Sequence, residues 1–467
     1  MTEFTRNLAA FVIETATEVV PQDALLRAQD ALIDTVGCAL AGWSDKAPHV
    51  ALDHAYFLQA AEHATIWGVG LRTTPSEAAF VNAIAAHVLD FDDSLPGLRG
   101  HPSAPILPAV LAAAELGVVS GREALAAYAL GVEVMRAVGS VMGHGHYFRG
   151  WHTTSTAGIF GATAAVARLL GASVDELCNA FGIAASEAAG LRKNFGTMTK
   201  AYHAGQAARA GFDAAGLATN GFSANLSIFD GDDSFFAVYG SDDGITPEAA
   251  LVKLGNPWAM LNPGISIKRF PCCFGAHRPL GGIFQLIERD RIKIADIEAV
   301  NIDFLPMSDK ALTHTDPQNG LEAKFSIEYC TAAALLDGEV TLDSFTDEKV
   351  QRPEIRALMA KVNRRHVPGD GNFNAHHGYT DIEIVARSAS HTIRSDKTPG
   401  SRDWPLSRDE LRQKFIGCAR ISEGQARAET IFSALEGFVA SSDAGALVSA
   451  ALGSADTAKH RQTQSLR

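Results

Sequence analysis

The chain reads as a mainly α protein in which a large all-helical domain is joined to a smaller α+β domain, and three observations predict this. Helix start signals followed by apolar-periodic runs recur from about residue 5 to 262. Two segments of that half are dominated by Ala, Gly, Ser and Thr, and strand alternation begins only beyond Leu261-Asn-Pro-Gly264. At 467 residues the chain exceeds what one core normally serves, so two domains are the default.

Taken in order, Asp23 to Gly42 places Leu25, Leu32, Ile33, Val36 and Leu40 on one helical face, with Gly42 as the stop. Thr74-Pro75-Ser76-Glu77 offers an N-cap, a proline at the first helical position and an acid in the first turn. Ser120 to Glu123 and Ser173 to Glu176 are capping boxes. Thr153 to Gly171 and Ala204 to Gly221 are the small-residue segments, whose axes can approach closely enough for the centre of a bundle. No strand alternation of useful length occurs in this half, so residues 1–265 are expected to be all-helical.

Residues 266–395 are expected to form the smaller α+β domain. Val300, Ile302 and Phe304 alternate with polar residues, as do Ile382, Ile384 and Ala386. Between them lie a helix from about Glu322 to Leu336, a short piece at Glu339 to Leu342 and an amphipathic stretch around Pro353 to Asn363. Lys397 to Pro405 reads as a linker-like turn, and a capping box at Ser407 to Glu410 reopens helical periodicity to about residue 453. Residues 396–455 are therefore expected to return to the helical domain, leaving 456–467 as a frayed polar tail.

Hydrophobic residues make up 47% and charged residues 20%, ordinary values for a globular protein. A net charge of −13 argues against nucleic-acid and anionic-membrane partners, which need clustered Lys and Arg. The six cysteines show no CxxC spacing and read as reduced thiols. The start lacks the basic and then apolar regions of a signal peptide, and no apolar run reaches membrane-spanning length, so a cytoplasmic location is expected. There is no P-loop, no GxGxxG after a strand, no HExxH and no GxSxG. No cofactor is expected.

What remains is a set of acids, bases and cations. Leu191 to Arg209 places Lys200 and His203 three residues apart at the mouth of an Ala/Gly-rich segment. Asp90-Phe-Asp-Asp-Ser94 leads through Arg99 to His101, and because a helix C-terminus disfavours acids, three there call for partners. His144, His146 and His152 lie within nine residues, with Tyr147 and Arg149 between them. Their spacing does not exclude zinc, but nothing supplies a third ligand of fixed geometry, and no metal is expected. His376-His377 reads as a surface pair. Lys268, Arg269, His277 and Arg278 could form a carboxylate-binding patch.

In order along the chain, Asp90-Phe-Asp-Asp-Ser94, His101-Pro-Ser103, Gly150-Trp-His152, Asn194 to Lys200 with His203 and Gly205, Lys268 to His277, and Lys324 to Cys330 resemble the MmgE/PrpD family. That family includes 2-methylcitrate dehydratase, cis-aconitate decarboxylase and iminodisuccinate epimerase. The resemblance implies a helical domain, a smaller α+β domain, a cleft between them and a homodimer. It maps active-site positions onto Asp90, Ser94, His101, His152, Lys200, His277 and Tyr329. The run Asp92-Asp-Ser-Leu-Pro96 with Arg99-Gly-His101-Pro-Ser103, and Gly145-His-Tyr147, look most like the epimerase.

The shared demand of these reactions is carbanion character next to a carboxylate, which needs a base of near-neutral pKa and cations where charge develops. Lys200 and Lys268 are expected to hold carboxylates of a small di- or tricarboxylate, with Ser94, Arg99, His203, His277 and Tyr329 completing the binding set. His101, His152 and Tyr147 are the candidates for proton transfer, with Asp90 orienting or tuning a histidine. The expected activity is a cofactor-independent, dehydratase-like lyase. The alternatives are an epimerase working by two-base proton transfer, a non-catalytic carboxylate-binding protein and, third, a metal-dependent hydrolase.

Overall fold

The computed structural model describes residues 3–58, 61–369 and 377–453, so the expected tail at 456–467 and His376 lie outside the described residues. The chain divides into two compact units. Residues up to Ile265 join those from Arg408 onward in one, and Ser266–Ser407 form the other.

In the first unit the helices that build the core and carry the site residues are α1 (Gln22–Gly42), α2 (Pro75–His87), α3 (Ser103–Ala114), α4 (Gly121–Phe148), α5 (Gly158–Leu169) and α6 (Thr199–Thr219). The capping box that opens α4 forms as the sequence predicts: the Glu123 N–H donates to Ser120 Oγ at 3.2 Å and the Ser120 N–H donates to Glu123 Oε2 at 2.9 Å. Ser173 and Glu176 repeat the arrangement. Thr74 sits at the N-cap of α2 but its side chain makes no capping bond. The α4 helix is long and apolar enough to cross a membrane, against the sequence-based expectation; 89% of its apolar window is buried inside the protein, which makes it a core helix.

The small residues do set the helix spacing. Helix α6 packs on α2 and α5, and α5 packs on α4. At the α4–α5 crossing the backbones nearly touch, since a Cβ added to Gly161 would lie 2.8 Å from the Gly131 carbonyl oxygen and 2.7 Å from Ile106 Cδ1. Gly161→Ala is therefore expected to destabilise the protein by about 1–3 kcal/mol, read as a lowered denaturation midpoint. An unchanged midpoint would show that the crossing can open freely. One feature corrects the all-helical expectation: β1 (Ala64–Ile66) pairs antiparallel with β2 (Leu71–Thr73). Strands of three residues are too short to display an alternation.

The second unit holds a four-stranded sheet in the order β4-β3-β5-β6, built from β3 (Ile297–Phe304), β4 (Val362–His366), β5 (Thr380–Ala386) and β6 (Ala389–Ser395). The β3–β4 pair is parallel and the others are antiparallel. Helices α7 (His277–Asp290) and α8 (Ile327–Asp337) pack on it and on each other. The expected helix at 322–336 is broken in two, because Ser326 leaves the helical path and caps α8 by accepting from the Tyr329 N–H at 3.2 Å. Glu339–Leu342 makes no strand, and the stretch at 353–363 resolves into a short helix, Pro353–Met359, followed by β4. Residues 396–407 cluster with this unit rather than with the returning helices. The Ile267 N–H donates to the Gly400 carbonyl at 3.0 Å, and Pro399 packs against Gly281.

Candidate active site

The site in the first unit is built where α2 ends. The chain leaves His87, turns through Asp90 in the left-handed region (φ 55°), and runs to Arg99, which is also left-handed (φ 55°). Two non-glycine residues held there within ten positions mark a loop whose shape its surroundings enforce. The Leu95 N–H donates to the Gly100 carbonyl at 3.1 Å and closes the loop between them. From the returning helix α9 (Arg408–Glu423), Lys414 donates to the Phe91 carbonyl at 2.9 Å while it pairs with the buried Asp34 of α1 at 2.5 Å.

Each acid of the loop finds a separate partner. Lys200, at the start of α6, contacts Asp90 Oδ1 at 2.6 Å, with both side chains largely buried. Asp92 Oδ2 lies 2.9 Å from His87 Nδ1 and 3.2 Å from His101 Nδ1. Asp93 accepts from the Ser103 hydroxyl. Burial pushes the Asp93 carboxyl well up, whereas His101 and His87 overcome the same burial at Asp92 and hold it well below the usual range. Asp90 thus meets Lys200 closely and a histidine, His101, more distantly. Its 3.6 Å approach to His101 Nε2 is longer than its contact with Lys200, and Asp92 Oδ2 lies 3.2 Å from His101 Nδ1 without hydrogen-bond alignment.

Around this pair the imidazoles gather. His152, at the N-cap of the short helix Thr153–Thr156, stacks on His87 with centroids 5.8 Å apart, and its Nδ1 lies 3.1 Å from His203 Nδ1. His87 meets His101 edge-on at 4.6 Å, and Phe195 stands edge-on to His152 at 4.8 Å. Burial holds His152 well below the ordinary histidine value, and His87 and His203 at about 4. His87 and Asp92 were not among the sequence candidates. His87 carried only the signal of a histidine in the last turn before an acidic run.

His146 is not part of this group. Its Nδ1 is bonded to the Tyr239 carbonyl and its Nε2 to Thr156 Oγ1, both at 2.8 Å, and burial brings it to about 4. That arrangement removes the His144/His146/His152 trio as a ligand set. The described residues do hold one triplet with ligand atoms within 4.8 Å of one another, His87, Asp92 and His101. Both imidazole Nδ1 atoms in it lie near the same carboxylate oxygen, His87 in a hydrogen bond at 2.9 Å and His101 at 3.2 Å without one. Tyr147 is positioned by a break in α4 at Gly143 (φ 74°), where a Cβ would lie 2.6 Å from Asp243 Oδ1 and Gly244 N. Ser94 is buried in the loop beside these groups.

These low histidine pKa values fix the sign of an acid response. Neutral in the fold, His87, His146, His152 and His203 would each take a proton near pH 6.5 once unfolded. Between about 4 and 6.5 the unfolded state thus binds more protons. Stability is complete above 6.5 and is lost as pH falls toward 4, by up to about 1.4 kcal/mol per pH unit for each histidine. Denaturant titrations across that range should show the loss, and a flat profile would contradict the neutral assignments.

The second unit supplies its own cluster. His277 opens α7 fully buried, between the rings of Phe270 (5.2 Å) and Phe274 (4.9 Å), with Nε2 3.4 Å from the Cys272 carbonyl. Lys268 is also buried. Against its own burial, the Cys272 thiol is held down to about 6 by Cys330, His277 and Lys268. Tyr329 lies in the hydrophobic core of this unit and its hydroxyl donates to the Ser344 carbonyl. A hydroxyl so committed leaves its expected substrate role resting on the resemblance alone.

Acid–base groups of this kind are suited to proton transfer, and similarity to known proteins gives the class of protein. Residues 6–248 match the MmgE/PrpD N-terminal domain and residues 270–436 the MmgE/PrpD C-terminal domain. The chain belongs to the MmgE/PrpD family, and it is an enzyme of that family's lyase kind. It is 30% identical over 407 residues to the cis-aconitate decarboxylase of Homo sapiens, which covers 83% of this chain and 82% of that protein. The Mus musculus enzyme of the same name is 30% identical over 418 residues, covering 83% and 81%. A cis-aconitate decarboxylase-like protein of Aspergillus oryzae is 28% identical over 439 residues, covering 88% and 89%.

Proposed function

We propose that the chain is a cofactor-independent lyase acting on a di- or tricarboxylic acid, with carbon dioxide as the group lost from a cis-aconitate-type substrate. The observation that carries the reading is the Lys200–Asp90 pair set next to His101, whose Nδ1 is backed by the buried carboxylate of Asp92. The Lys200 ammonium holds a substrate carboxylate and His101 Nε2 serves the reacting carbon. The C–C bond to the departing carboxylate breaks and carbon dioxide leaves, the electron pair moves through the double bond into the enediolate of a retained carboxylate, and a histidine protonates the former alkene carbon next to that retained carboxylate. The names of the relatives support carbon dioxide as the leaving group. The homodimer implied by the family resemblance belongs to the same proposal and is tested by sedimentation.

The test uses chelator-treated protein in D₂O, followed by proton NMR with cis-aconitate, 2-methylcitrate, citrate and iminodisuccinate in parallel. Loss of carbon dioxide from cis-aconitate with one deuteron gained is the expected result. Loss of water from 2-methylcitrate or citrate makes the chain a dehydratase. Deuterium entry with inversion and no elimination makes it the epimerase that the run from Asp92 to Ser103 resembles. Activity lost on chelation and restored by a metal overturns the cofactor-independent reading.

A further inference from the structure

We infer that Arg192 and Arg99, set around the ring of Tyr147, form a second anion station that takes a carboxylate of the substrate remote from the reacting carbon. Arg192 is then a specificity-determining residue. The inference rests on the carboxylate-lyase reading for the identity of the anion, and on side-chain geometry for the station itself.

Arg192 opens a single 3-10 turn, Arg192–Asn194, that is pinned in place by its own N–H donating to the Gly150 carbonyl at 2.8 Å. Its guanidinium carbon lies 3.7 Å from the Tyr147 ring centroid, and one of its terminal nitrogens donates to the Tyr147 carbonyl at 2.9 Å. Arg99, aimed by its left-handed backbone, reaches the same ring at 5.6 Å and the Phe148 ring at 4.8 Å. Two guanidinium groups thus share one aromatic ring.

Like charges so close repel, and Arg192 helps burial to lower the Arg99 pKa. Yet among the described residues neither is paired with a carboxylate, and the Nε atom of each is buried without a hydrogen-bond partner. Two other half-buried arginines of the first unit are paired, Arg136 with Glu133 at 2.7 Å and Arg209 with Glu77 at 3.0 Å, and Arg168 is held by the Val12 and Ile13 carbonyls at 2.6 and 3.2 Å. The acid whose field reaches Arg99 is Asp243, and it is already held by the N–H groups of His144 and Gly145 and by the Ser241 hydroxyl. In a chain with a net charge of −13, an uncompensated arginine pair is a site for an anion. The planar fork of each guanidinium matches a carboxylate.

The station adjoins the reacting groups through one side chain. The Phe195 ring lies 5.8 Å from the Arg192 guanidinium carbon, 5.5 Å from Lys200 Nζ and 4.8 Å from the His152 ring. An acid with a carboxylate at each end can reach from Lys200 to Arg192 past that ring, and a monocarboxylate cannot occupy both.

The experiment is calorimetric titration of the full chain with tricarballylate, an unreactive tricarboxylate, and with butanoate, alongside steady-state kinetics. Arg192→Gln is expected to weaken tricarballylate binding about tenfold to hundredfold, the loss typical of a charge-assisted pair, with a much smaller effect on butanoate. It should raise KM more than it lowers kcat. Should that variant melt early, Arg192→Lys, which can still donate to the Tyr147 carbonyl, carries the test, and its preference for tricarballylate should fall by a smaller factor. Unchanged tricarballylate binding in a folded variant, or equal losses for both acids, overturns the station. Because tricarballylate is not turned over, the two readings fail separately. Binding that depends on Arg192 without turnover of any acid would sink the lyase and leave the station standing, and turnover with an unaltered KM would do the reverse.

Discussion

Asp92→Asn lowers turnover by about 10²- to 10⁴-fold while leaving substrate affinity nearly intact, if His101 is the proton-transfer group. The reason lies in how the buried carboxylate meets the ring. Asp92 Oδ2 lies 3.2 Å from His101 Nδ1, a charge contact without hydrogen-bond alignment, on the side of the ring away from Nε2. Asparagine has the same shape, but its amide can present N–H to the imidazole and favour the opposite tautomer. Asp92 also faces His87 Nδ1 at 2.9 Å, so the substitution weakens the hold on two rings at once. A variant that keeps turnover within a few-fold would remove His101 from proton transfer.

Lys200→Met is expected to cost about 10²- to 10³-fold in kcat/KM, because the ammonium is needed both to hold a substrate carboxylate and to face charge as it develops. A second effect comes from its ion pair. Asp90 sits in a left-handed conformation with its side chain largely buried, and loss of the 2.6 Å contact removes its ammonium partner. Removing one member of such a pair destabilises more than removing both. The double variant Lys200→Met with Asp90→Asn should therefore regain thermal stability relative to Lys200→Met and regain no activity. Recovered activity would show that Lys200 acts only by neutralising Asp90.

Much of the helical architecture was legible because it is written in local chemistry. The boxes at Ser120 and Ser173 form with the partners their spacing demands, and the small residues of 153–171 and 204–221 pack helix on helix at contact distance. The hairpin at 64–73 escaped because three residues carry no period, and the break at Ser326 because one serine serves helix interior and helix cap alike. In the acidic run, the spacing of Asp90, Asp92 and Asp93 shows that partners are needed but not which each takes. The partners come from Lys200, His87, His101 and Ser103, up to 110 residues away, and tertiary packing alone sorts them. Arg192 escaped for a related reason, since an arginine without a counterion reads in sequence like any solvated one.

The contact from Lys414 to the Phe91 carbonyl has a consequence for how the protein is made. The loop that carries Asp90 and Asp92 emerges early in synthesis, but the lysine that ties its backbone to Asp34 arrives more than three hundred residues later, after the whole of Ser266–Ser407. During synthesis that one tie is absent until the inserted unit is complete. The last helices act as a clasp, and a chain cut short after Ser407 would lack both the part of the first unit that follows it and the tie to Phe91.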